Sequence, residues 1–149
     1  MHILSLLVAL TAHTASLEVV GGCSPEPIFR TEAPILPRES LGAFTVRAFS
    51  DNGLEFIGAE HGINSIQGSP TGEEALEIIS REEMNAYGWC YELNGRLFEG
   101  TYPDEVFPAS DQDEITWFYG YAHYFRGEWK TMCEPAWKRR PDFLCKKNG

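Results

Sequence analysis

The sequence predicts a small α+β domain, one amphipathic helix laid on a short antiparallel sheet. Three observations carry this reading. The length of 149 residues suits a single domain. One segment, Ser69 to Met84, combines a helical start signal with an apolar stripe. From Gly88 onward apolar residues return at every second position, the period of a strand. A composition 43% hydrophobic and 23% charged is that of an ordinary globular chain and excludes wholesale disorder.

Ile3 to Ala12 is an apolar run about half the length of a membrane span. It suits the apolar region of a secretory signal, and the small residues Thr14, Ala15 and Ser16 offer a cleavage site, so residues 1–16 are expected to be a signal peptide. Val20-Gly21-Gly22-Cys23 offers a different processing site, a lipobox in which Cys23 becomes the lipidated first residue. Only in that case would the chain be held at a membrane. Residues 17–42 read as a Pro-rich linker, because 23–41 contain four prolines and no apolar periodicity. Phe44 to Phe49 is β-branched and aromatic with partial alternation and reads as the first strand, closed by the turn residues Asp51-Asn52-Gly53. Leu54 to Ile57 is a weaker strand and Gly62 to Gly68 a short one.

The expected helix opens on Thr71 and Glu74, spaced as a capping box, with Glu73, Glu74 and Glu77 in its first turns and Ala75, Leu76 and Ile79 as its apolar stripe. Trp89, Tyr91 and Leu93 then alternate with Cys90, Glu92 and Asn94, and Asn94-Gly95 supplies a two-residue hairpin turn. Ile115, Trp117, Tyr119 and Tyr121 alternate with Thr116, Phe118 and Gly120, and a strand aromatic on both faces belongs in the middle of a sheet. Another hairpin is expected around Arg126-Gly127. Four cysteines in an exported chain read as two disulfides. The short separation of Cys133 and Cys145 favours a local staple, with Cys90–Cys133 as the alternative. No CxxC occurs, which removes thioredoxin-like and zinc-ribbon readings.

The string GWCYELNG, Gly88 to Gly95, followed by DEITWFYGYA, Asp113 to Ala122, resembles the DUF4430 family, the transcobalamin-like C-terminal domain. The matching positions are Gly88, Trp89, Tyr91, Asn94, Gly95, Asp113, Ile115, Trp117 and Tyr119. The resemblance covers residues 43–122 and implies a small β-grasp-like sheet with one covering helix. Residues 123–149 lie beyond it as a basic, cysteine-stapled extension. In the family's cobalamin carriers such a domain closes over a corrinoid against a helical partner domain. No such partner domain is expected in these 149 residues, and the expected helix comes later than the family places it.

Charge divides along the same boundary. Residues 1–125 hold 5 basic and 19 acidic side chains, and residues 126–149 hold 7 and 3, so −14 and +4 make the net −10. An acidic body of this kind repels phosphate, and nucleic acid is not an expected partner. Trp89, Tyr91, Trp117 and Tyr119 read as the core of the sheet, mainly structural like the rest of the family motif. Tyr102, Phe118, Tyr121 and Tyr124 fall off that register and are the candidates for an exposed patch that meets a ligand or partner. No metal ligand set is expected: His61 and His123 lack a second ligand at useful spacing, and Asp111 to Glu114 reads as a charged turn because Thr116 occupies the place of a calcium loop's Gly. No cofactor and no catalytic residue are assigned. The expectation is an exported, non-enzymatic binding or interaction module at the bacterial cell envelope, its partner a protein or small molecule of unknown identity. The alternatives are a corrinoid-type ligand carrier and a cysteine-dependent hydrolase using Cys90 or Cys145 with His123.

Overall fold

The computed structural model describes residues 13–145. The apolar run Ile3 to Ala12 and the two terminal lysines lie outside them. Two strands open the described chain, β1 at Thr14–Val20 and β2 at Pro27–Pro34, paired antiparallel. The helix α1 follows at Leu41–Asp51, then β3 at Phe56–Ala59 and β4 at Gly62–Ile66, which form a small sheet of their own. The remaining strands are β5 at Leu76–Ile78, β6 at Glu83–Leu93, β7 at Arg96–Leu97, β8 at Asp113–Phe125 and β9 at Glu128–Pro135.

The main sheet has seven strands, ordered β2-β1-β8-β6-β5, with β7 also on β6 and β9 also on β8. That is α+β with one helix, as expected, on a larger sheet than the small one anticipated. Its spine is the 13-residue β8. One edge of β8 pairs antiparallel with β6. The other pairs first with β1, in parallel, through Phe118, and then with β9 from Gly120 on. The core lies between this sheet and α1, where Ala15, Leu17 and Val19 of β1 meet Phe44 and Phe49 of α1 and Ile115 and Trp117 of β8, all of them buried. Burying such side chains contributes roughly 1.5–3 kcal/mol each.

Several boundaries are corrected. Residues 17–42 are not a linker, since they contain most of β1 and all of β2, and the main sheet includes residues from Thr14 on. A cut after Ser16 would remove three paired residues of β1, including the fully buried Ala15. Phe44 to Phe49 is helical. Ser40 caps this helix, its Oγ accepting from the Ala43 N–H at 3.0 Å, and Leu41, Phe44, Thr45 and Ala48 form the buried stripe. The expected helix from Ser69 to Met84 is absent. Thr71 makes no side-chain cap, Gly72 enters with φ +60°, and only a single 3₁₀ turn, Gly72–Ala75, precedes β5. Leu76 and Ile78 pair instead with Ala86 and Met84 of β6, an open strand edge that overrides the weak local signal. Residues 123–135 are not an appendage, because β8 runs on to Phe125 and β9 lies in the sheet.

The hairpins stand as read. Asn94 and Gly95 both have positive φ, at 54° and 78°, and so do Arg126 and Gly127, at 49° and 82°. The expected local staple Cys133–Cys145 does not form. Cys23 bonds Cys145, and Cys90 bonds Cys133. The second bridge joins β6 to β9 across the intervening β8, over Gly120, where a Cβ would stand 3.1 Å from the Cys90 Sγ. Two disulfides point to an oxidising compartment. Among the described residues no helix is long and apolar enough to cross a membrane.

Candidate functional site

Residues directly opposed on antiparallel strands share a face. The register of β6 and β8 sets Tyr87 against Tyr121, Trp89 against Tyr119 and Tyr91 against Trp117, a six-ring ladder on the side of the sheet that carries α1. The ladder has two differently covered halves. Over one, α1 seals Trp117, whose Nε1–H donates to the Thr45 Oγ1 at 2.9 Å, and the Tyr91 hydroxyl donates to the Thr101 carbonyl at 2.7 Å. Burial, then the charges of Glu105 and Asp104, push the Tyr91 hydroxyl up to about 12.

Over the other half lie the loop after β4, the 3₁₀ turn and the chain following β9. Ala75, Tyr87, Tyr119 and Ala136 form a second buried cluster there, with Leu144 against it and Phe143 edge-on to Tyr87 at 5.0 Å. Burial first, then the neighbouring Tyr87, push the Tyr119 hydroxyl up to about 12, and that hydroxyl donates to the Pro70 carbonyl at 3.3 Å. Arg139 closes the outer end. Its Nη2 donates to the Glu77 Oε1 at 2.9 Å, and its guanidinium lies over the Tyr121 ring at 5.4 Å.

Between the two halves this cover leaves a pocket of about 270 Å³. Trp89 and Tyr119 form its floor, with ring centroids 5.3 Å apart and planes inclined at 55°. Ile28, Ile66 and Leu144 wall it, and Cys23 at its rim carries the disulfide that holds the tail in place. Gly22 belongs here for a steric reason: a Cβ would collide with the Leu144 Cδ2 and stand 3.0 Å from the Tyr119 ring. No charged side chain is among the residues lining this pocket. Its best-placed polar group is the Ser69 Oγ, which accepts from the Trp89 Nε1–H at 2.8 Å and from the Ile66 N–H at 3.1 Å.

The candidate ligand residues do not form one patch. Tyr102 is 63% exposed on the loop before Pro103, whereas Phe118 is only 6% exposed. Alternation puts Phe118 and Tyr124 on the face opposite Tyr121. Tyr124 packs edge-on to Trp129 at 5.3 Å, and Tyr121 packs on Tyr87 at 5.7 Å. The family-motif residues come together more closely. Gly88 pairs with Gly120. The Asn94 Nδ2 donates to the Asp113 Oδ1 at 2.9 Å while its Oδ1 accepts from the Glu114 N–H at 2.8 Å, which pins the hairpin turn to the start of β8. Asp113 also accepts from the Ser110 N–H at 2.9 Å, so the acidic turn is a structural clasp. Ile115 and Trp117 belong to the helix-covered core.

All four cysteines are bridged, which leaves no thiolate for a cysteine-dependent hydrolase and no Cys23 sulfur for a lipid thioether. The His123 Nε2 lies 3.0 Å from the Glu83 Oε2. Among the described residues no three His, Cys, Asp or Glu side chains assemble as a metal site. Gly22, Ser69 and Leu144 were missing from the sequence reading of the site. The Gly21-Gly22 pair beside Cys23 is the one signal that could have marked the close approach. No family model matches this chain, and no curated protein matches it. Among solved structures the chain is similar to one from Ruminococcus gnavus ATCC 29149 described as a "putative metal binding protein", with 17% identity, 72% of this chain and 95% of that chain covered, and a TM-score of 0.45.

Proposed function

We propose that this chain is an exported, non-enzymatic binding module of the cell envelope, built on a β-grasp core of the DUF4430 kind, with Ile3 to Ala12 as its export signal and the Trp89–Tyr119 pocket as its binding site. The order of hairpin, helix and a late strand returning in parallel beside the first supports the β-grasp assignment. The two disulfides support export. The observation that carries the binding reading is the pocket itself, a concave apolar site with two aromatic rings and few polar groups, the usual make-up of a small-ligand site.

At about 270 Å³ the pocket falls below the roughly 300–1,000 Å³ of sites for drug-sized ligands. A corrinoid is far larger and could only lie across its mouth. Tryptophan fluorescence is therefore expected to show no quenching by micromolar cobalamin, and quenching would restore the corrinoid reading. The binding reading itself is tested by following the Trp89 indole N–H in solution NMR against a library of small fragments, the signal being assigned by its loss in Trp89→Phe. At least one fragment is expected to shift it. If the whole library leaves it unmoved, the pocket is not a binding site.

A further inference from the structure

Resting on the reading of the pocket as a binding site, we propose that its ligand is an uncharged, planar ring of one or two fused cycles carrying one hydrogen-bond acceptor. Charge decides the first property. The chain carries 22 acidic and 12 basic side chains, yet none of them lines this pocket. An ion entering it would lose hydration without gaining a counter-charge, whereas a neutral ring gives up little.

Shape decides the second. Trp89 and Tyr119 pack against each other with planes inclined at 55°, and Tyr119 is almost wholly buried, so the partly buried Trp89 supplies the stacking surface. A flat ring can stack on Trp89 with its edge toward Tyr119, the two arrangements aromatic rings prefer. The volume leaves room for little more than that ring and a small substituent.

Ser69 decides the third. The Ser65 hydroxyl donates to the Ser69 carbonyl at 2.8 Å, so its hydrogen is engaged. The Ser69 Oγ already accepts two hydrogen bonds, and the acceptor available to its own hydrogen within the fold is the Ser65 Oγ at 3.3 Å, well beyond the usual hydroxyl distance. That hydrogen can turn toward an acceptor in the pocket at small cost. The Trp89 Nε1–H bonded to the same oxygen makes the indole signal a reporter of the event.

Benzamide, benzoate and benzamidine share size and planarity and differ in charge, and cyclohexanecarboxamide keeps the amide without the flat ring. Titrated into the full chain, benzamide is expected to shift the Trp89 indole signal with a Kd at least ~10-fold below those of both ions, and several-fold below that of cyclohexanecarboxamide. Ile28 is half exposed, so Ile28→Glu adds a rim charge without disturbing the core, and it is expected to narrow or reverse the gap between benzamide and benzamidine. The proposal is overturned if benzoate or benzamidine binds the wild-type protein as tightly as benzamide, or if benzamide leaves the signal unmoved. Should benzamide fail while another fragment shifts Trp89, the ligand class is wrong and the site stands. Should nothing shift it, both readings fall.

Discussion

The two halves of the aromatic ladder solve the same problem by different means. Where α1 covers the sheet, aliphatic and phenyl side chains interlock, and the contacts come from a regular helix that supplies its own backbone hydrogen bonds. Where the tail covers it, the cluster is rich in tyrosine and the covering segment has little regular structure beyond a short 3₁₀ turn. That cover depends on a covalent tie, Cys23–Cys145, between the end of β1 and the tail. The Trp89–Tyr119 pocket lies where the strapped cover meets the helix-covered half.

The largest effect should come from the helix-covered half. Phe44→Ala, at a fully buried position, is expected to cost about 3–5 kcal/mol in denaturant unfolding and to destabilise the whole domain. Replacing Cys23 and Cys145 together by serine opens a loop with a sequence separation of 122 residues, for a loss of roughly 2–5 kcal/mol. Hydrogen exchange distinguishes this loss from the first: protection should fall around Tyr119 to Tyr121 and in the tail while persisting in α1. Equal loss in both places would dissolve the distinction between the halves.

Alkali provides a third test, which both halves share. The folded protein holds the Tyr91 and Tyr119 hydroxyls protonated up to about 12, against about 10 for an unfolded chain. Their contribution is fully present below pH 10 and is lost as pH rises toward 12, and phenolate absorbance should show both titrating late, along with Tyr87, whose hydroxyl burial also raises. Tyr119→Phe should remove one of them.

Acid provides a test of the helix side. Burial by itself would raise the Glu39 carboxyl, but the hydrogen bonds from Arg47, at 2.7 and 2.8 Å, and from the Leu36 N–H outweigh it, so the net shift is downward. A depressed carboxyl stabilises the fold above its unfolded value near 4.5, and this stability disappears as pH falls through the folded value. Tm measured from pH 6 to pH 3 should fall less in Glu39→Gln than in wild type. The smallest change is expected from Arg139→Gln, under ~1 kcal/mol, because its ion pair with Glu77 is partly exposed to solvent at the sheet edge.

Legibility in the sequence followed how local each signal was. Asn94-Gly95, Arg126-Gly127 and the alternation of Ile115 to Tyr121 are short-range patterns, and the structure keeps them. Phe44 to Phe49 carries both periods. Read as alternation it suggests a strand, but with Ser40 and Leu41 included the spacing 41, 44, 45, 48 is helical, and the cap was available to be seen. The Thr71–Glu74 pair failed because a neighbouring strand edge competed for the same residues. β1 was hidden in a different way, since its partner in parallel pairing, β8, starts about 100 residues further on and nothing local announces the match. The pocket suffered most from this. Its floor lies in the recognised motif, but Gly22, Ser69 and Leu144 reach it from three separate parts of the chain.

The order in which the sulfurs become available has a consequence for biosynthesis. During synthesis Cys23 appears first, and its native partner follows 122 residues later. When Cys90 emerges, the thiol waiting for it is Cys23, the wrong one, and Cys133 is still 43 residues away. Oxidation that outruns the chain would trap a 23–90 bridge between an element of the first hairpin and the middle of β6. The native pairing therefore requires either thiols that stay reduced until Cys145 has arrived or an exchange catalyst in the compartment where the chain is oxidised.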